Sequence, residues 1–140
     1  MTRKRSVNST CVRESPGLRT QVGRATIIIV EDDIGLNRAV ERLLSIAGFH
    51  SRSFDSAEKM LESDSALVAD CFVFDIHLPG ITGVELLERL GAAGIHRPVI
   101  FITAHDDSHT RHAARAGASY LTKPFTGQAL IQAIDAALLT

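Results

Sequence analysis

The sequence predicts an α/β fold: a doubly wound, five-stranded parallel sheet with five helices on its two faces. Three observations predict it. Short β-branched or apolar runs alternate with helix-spaced segments from Thr26 onward, five times over. Ile27-Ile28-Ile29-Val30, Cys71-Phe72-Val73-Phe74 and Val99-Ile100-Phe101-Ile102 are apolar without alternation, the pattern of strands buried on both faces. Each of these runs ends in a polar side chain, so Glu31, Asp75 and Thr103 fall at one rim of the sheet.

Taken in order, Thr26 to Val30 is a strand by β-propensity. Glu31-Asp32-Asp33 then leads into Leu36, Val40, Leu43, Leu44 and Ala47 at helical spacing, stopped by Gly48. Phe49 to Phe54 reads as a weaker second strand, and Asp55-Ser56 caps a short helix through Met60 and Leu61. Residues 71–75 form the third strand, followed by a Pro79-Gly80 turn and a helix carrying Val84, Leu86, Leu87 and Leu90, broken by Gly91 and Gly94. Pro98 to Thr103 is the fourth strand. A polar helix is expected over roughly Ser108–Ala116, ended by Gly117. Ser119-Tyr120-Leu121-Thr122 makes a short fifth strand, and Leu130, Ile131, Ile134, Ala137 and Leu138 mark a final helix.

Right-handed crossovers between such units pack helices on both faces of a parallel sheet. For five units the flavodoxin-like strand order 2-1-3-4-5 is the natural choice, with its switch point between the first and third strands. The acids after strand one and Asp75 after strand three then converge, flanked by Thr103 and Lys123.

Composition narrows the class. Hydrophobic residues at 45% and charged residues at 22% are ordinary for a globular chain, which excludes wholesale disorder. At 140 residues one domain is expected. No apolar run approaches the roughly 20 residues of a membrane span, and the basic N-terminus has no apolar stretch behind it, so neither membrane nor secretion is expected. Cys11 and Cys71 lack metal-ligand spacing and read as reduced thiols of a cytoplasmic protein. Residues 1–25 hold six of the 15 Lys/Arg but one of the 16 Asp/Glu, so the expected division is a basic, poorly ordered extension at 1–25 and an acidic globular domain at 26–140.

Glu31, Asp32, Asp75, Thr103 and Lys123 make a chemical set. Packed carboxylates raise one another's pKa unless a cation intervenes. An oxygen-rich cluster with room for water and phosphate suits Mg²⁺. A carboxylate can act as nucleophile toward phosphorus, while a metal, an ammonium and a hydroxyl stabilise the transferring oxygens. Asp75, presented by the most buried strand, is the candidate nucleophile; Glu31 and Asp32, read as opening a helix, are the metal side.

These motifs resemble the receiver domain of two-component response regulators over residues 26 to 140. The matching pieces are Ile28-Ile29-Val30-Glu31-Asp32-Asp33, Phe74-Asp75-Ile76-His77-Leu78-Pro79-Gly80 with Gly83, Pro98 through Ala104, Ala116-Gly117-Ala118, and Lys123-Pro124-Phe125. The resemblance implies that Asp75 accepts a phosphoryl group from a histidine kinase or phosphotransfer protein, with Mg²⁺ held by Glu31, Asp32, Asp75 and the backbone carbonyl of His77. It implies that Lys123 binds the phosphate, that the Lys123-Pro124 bond is cis, and that Thr103 and Tyr120 form a switch pair. The wording around Pro79-Gly80 and Thr103-Ala104-His105 is closest to receivers of helix-turn-helix transcription factors.

Three departures accompany the match. The interval from Thr103 to Lys123 is a residue or two short, Glu31 stands where Asp is more usual, and no effector domain follows Thr140, which fits a stand-alone receiver or part of a longer regulator. His77 and His105 lie on loops beside the site and read as solvent-exposed. The first functional expectation is a phospho-accepting switch rather than a multiple-turnover enzyme, with the kinase and a second copy or downstream target as partners and no direct nucleic-acid contact. The alternatives are a phosphorylation-independent interaction module and a small Mg²⁺-dependent aspartyl phosphatase. The latter wants a second Asp where this chain has His77. A flavin or dinucleotide site is weaker, since no Gly-rich loop follows Val30.

Overall fold

The structure is a computed structural model, and it describes residues 25–104 and 118–139. The elements run β1 (Thr26–Val30), α1 (Ile34–Ile46), β2 (His50–Phe54), α2 (Ala57–Glu62), a 3-10 turn (Ser65–Val68), β3 (Cys71–Asp75), α3 (Gly83–Ala92), β4 (Val99–Thr103), β5 (Ser119–Thr122) and α4 (Gly127–Leu138). All pairings are parallel and the strand order is β2-β1-β3-β4-β5, as the sequence predicts. The helix expected over Ser108–Ala116 lies outside the described residues, as does residues 1–24 of the basic extension.

Period-two alternation of the central strands divides the core in two. Ile28, Val30, Phe72, Phe74, Val99 and Phe101 face α2 and α3, where they meet Met60, Leu86 and Leu90. Ile27, Ile29, Cys71, Val73, Ile100 and Ile102 face α1 and α4, against Val40, Leu44, Leu130 and Ile134. Every residue of β3 and β4 is buried, which accounts for their unbroken apolar runs. Phe72 and Phe74, two residues apart on one face, stack with ring centroids 4.9 Å apart.

The helix starts are set by side-chain caps. Ser56 accepts from the Lys59 N–H, Thr82 and Glu85 form a reciprocal capping box, and Thr126 accepts from the Ala129 N–H. α1 starts one residue later than the acid pair suggests: Asp33 is its cap, accepting from the Leu36 N–H at 3.1 Å, so Glu31 and Asp32 lie in the loop before it. Gly91 does not break α3. It sits inside the helix, and the chain turns away at Gly94, where φ is 85°. The 3-10 turn before β3 has no periodic signal in the sequence, because four residues are too few to show one.

Candidate functional site

The C-terminal rim of the sheet gathers the predicted residues. Glu31 follows β1 directly, and its N–H donates to the Phe54 carbonyl at 3.1 Å, extending the β1–β2 ladder by one step. Asn37, buried on α1, donates from Nδ2 to the carbonyls of both Glu31 and Phe54, each at 3.1 Å. The Glu31 side chain is wholly buried; its Oε2 accepts from the Asp33 N–H at 3.1 Å. Asp32 is exposed beside it.

Asp75 is the last residue of β3 and 4% exposed. Its Oδ1 accepts from the His77 N–H at 2.9 Å, and its Oδ2 lies 3.3 Å from the Lys123 ammonium. The same ammonium lies 2.9 Å from Glu31 Oε1, an ion pair without the alignment of a hydrogen bond. Lys123 therefore stands between two buried carboxylates. It is brought there by the turn after β5, where its N–H donates to the Thr103 carbonyl at 2.7 Å, and the Lys123-Pro124 peptide bond is cis. Thr103 is buried at the end of β4. Tyr120, in register with Phe101, is exposed on β5. His77 is exposed on the loop after Asp75, and His105 lies outside the described residues. On the α3 side, Gly83 packs so closely that a Cβ there would run into the Asp75 carbonyl, while its N–H donates to the Ile76 carbonyl at 3.2 Å.

The electrostatics follow from this crowding. Burial, and then the neighbouring Asp75 carboxylate, push the Glu31 carboxyl up from 4.5 to about 7. Burial works against the charge on Lys123, but Glu31 and Asp75 more than offset it and hold its pKa above the ordinary value. One oxygen each from Glu31, Asp32 and Asp75 lie within 4.8 Å of one another, and no other set of three or more His, Cys, Asp or Glu side chains among the described residues gathers in this way. A donor set of carboxylates alone, two of them buried and short of positive charge, fits a hard divalent cation such as Mg²⁺.

Sequence reasoning did not find Asn37 or Glu58. Asn37 carried a signal: it shares the inward face of α1 with Val40 and Leu44, where a polar side chain needs a partner. Glu58 carried none, since its carboxylate meets the backbone of a loop 23 residues further on.

A doubly wound five-stranded domain with three acids and one lysine at its switch-point rim has the architecture of a receiver domain. The model of the response regulator receiver domain matches residues 27–135, and the chain belongs to that family. It is 40% identical over 116 residues to Nodulation protein W of Bradyrhizobium diazoefficiens, covering 81% of this chain and 51% of that one. It is 36% identical over 112 residues to the transcriptional regulatory protein FixJ of Azorhizobium caulinodans, covering 79% and 53%. The crystal structure of a response regulator receiver protein from Burkholderia phymatum matches with a TM-score of 0.71 and 39% identity, covering 82% of this chain and 95% of that one. The chain spans about half the length of the curated relatives it matches.

Proposed function

We propose that this domain is a phosphorylation switch in which Asp75 accepts one phosphoryl group from a histidine kinase or phosphotransfer protein. The observation that carries the reading is the Lys123 ammonium held 2.9 Å from Glu31 and 3.3 Å from Asp75 at the sheet rim. In the transfer, an Asp75 carboxylate oxygen forms a bond to phosphorus as the donor's P–N bond breaks and its imidazole leaves. Lys123 then pairs with a phosphoryl oxygen. Glu31, Asp32, Asp75 and the His77 backbone carbonyl would hold Mg²⁺, which when bound neutralises charge on the phosphoryl oxygens.

In this reading Thr103, buried at the end of β4, supplies its hydroxyl to the new phosphoryl group. Tyr120, exposed on the next strand, is the aromatic whose change of position alters the surface. A second copy of the domain or a downstream protein reads that change, without direct nucleic-acid contact by this domain. In this reading the domain works in the cytoplasm in a transcriptional response, the latter supported by relatives named as transcriptional regulatory proteins. No helix among the described residues is long and apolar enough to cross a membrane.

Incubation with acetyl phosphate tests the proposal by intact-protein mass. The expected result is one phosphoryl adduct with Mg²⁺, none with EDTA, and none in Asp75→Ala. Folded wild-type protein that binds Mg²⁺ yet takes no phosphoryl group would favour a phosphorylation-independent module.

A further inference from the structure

The loop from Ile76 to Thr82 joins the phosphoacceptor strand to α3 and carries the His77 carbonyl. Its inner side is anchored by Ile76 and Leu78, both buried in the core, and by the Gly83 N–H on the Ile76 carbonyl. Its outer side is different. Gly80 turns with φ at 74°, and the next N–H, that of Ile81, donates 3.0 Å to Glu58 Oε2. Glu58 belongs to neither β3 nor α3; it stands in the first turn of α2 and reaches across the surface. The fit is close: a Cβ on Gly80 would collide with Glu58 Oε2, so glycine serves both the left-handed turn and the carboxylate's approach. The Ile81 N–H is also the main reason the Glu58 carboxyl is held below its ordinary pKa, so the contact favours the charged form.

We infer that Glu58 is a positioning residue for the metal side of the site, latching from α2 the loop that carries the His77 carbonyl. The inference rests on the function proposed above. His77 is tied at one end of the loop, through its N–H to Asp75 Oδ1, and Glu58 fixes the other end four residues on. Without the latch the Pro79-Gly80-Ile81 turn loses its hydrogen bond to α2, and the loop, with the carbonyl that would serve as a metal ligand, is held less firmly. Losing an outer partner that orients a metal ligand typically costs about 10–100-fold in metal affinity or activity, and a latch that only holds a ligand in place acts on affinity.

The test is Mg²⁺ titration by calorimetry, together with the rate of acetyl phosphate labelling against Mg²⁺ concentration, on wild type, Glu58→Ala, Glu58→Gln and Glu62→Ala. Glu58→Ala is expected to raise the Mg²⁺ dissociation constant about tenfold, at the lower edge for outer partners of metal ligands. At saturating Mg²⁺ it should reach the wild-type labelling rate. Glu58→Gln keeps an acceptor oxygen for Ile81 and should recover most of the affinity. Glu62→Ala removes the same charge from the exposed end of the same helix and should change nothing. Equal Mg²⁺ affinity in wild type and Glu58→Ala, or equal losses in Glu58→Ala and Glu62→Ala, overturns the latch alone. Wild-type protein that fails to bind Mg²⁺ overturns both the latch and the function on which it rests.

Discussion

Glu31→Gln should stabilise the metal-free protein, although it removes a residue placed at the centre of the site. The Glu31 carboxyl sits at about 7 rather than 4.5, chiefly through burial and then through Asp75. At about 1.4 kcal/mol per tenfold change in proton affinity, its charged form is disfavoured in the folded state by about 3 kcal/mol. That figure already includes the attraction of Lys123, and water at the rim screens part of the repulsion, so the expected net gain at about pH 8 is about 1–2 kcal/mol. For a domain of this size that is a rise of about 4–8 °C in Tm.

The sign follows from proton binding. Between 4.5 and about 7 the folded carboxyl holds a proton that the unfolded one has released. The group's contribution to wild-type stability is therefore fully present below about 4.5 and lost as pH rises through about 7. The advantage of Glu31→Gln should be absent near pH 4.5, grow through that window, and level off above it. Urea or thermal denaturation in EDTA at about pH 5 and pH 8 measures it. Added Mg²⁺ should reverse the order, because wild type gains binding energy that the variant forgoes. A variant less stable than wild type in EDTA at pH 8, or a difference independent of pH, would refute the reasoning.

Other substitutions read other contacts. Lys123→Met leaves two buried carboxylates without their shared cation and should lower metal-free stability by about 2–4 kcal/mol, with part regained in Mg²⁺; paired urea curves with and without the ion check it. Gly83→Ala drives a methyl toward the Asp75 carbonyl and should cost about 1–3 kcal/mol while slowing labelling by acetyl phosphate, measured by urea midpoint and adduct mass. In a Cys11→Ser background the Cys71 thiol, buried and pushed up to about 12, should resist thiol reagents until the protein unfolds; prompt labelling of folded protein would contradict the burial of β3.

The legible parts of the sequence were those where one physical signal dominates. β3 and β4 declared themselves because a strand buried on both faces has no reason to alternate. Once the strand order was set, the convergence of Glu31, Asp75 and Lys123 followed, since each stands at or just beyond a strand's C-terminal end. What stayed hidden depends on contacts between distant segments. The start of α1 at Ile34, capped by Asp33, is decided by which of three successive acids reaches the Leu36 N–H. Gly91 reads as a breaker in isolation, but inside α3 its cost of about 1 kcal/mol is outweighed by the packing of Leu86 and Leu90. Glu58 looks like any helix-surface carboxylate until the chain places Ile81 beside it.

The most direct test of the central claim is to locate the phosphoryl group. After reaction with acetyl phosphate and Mg²⁺, borohydride reduction converts an aspartyl phosphate to homoserine, and peptide mass spectrometry reads its position. The account predicts homoserine at residue 75 and at no other aspartate, dependent on Mg²⁺. Homoserine at Asp32 or elsewhere with residue 75 untouched, or a borohydride-resistant adduct on another side chain, would contradict it.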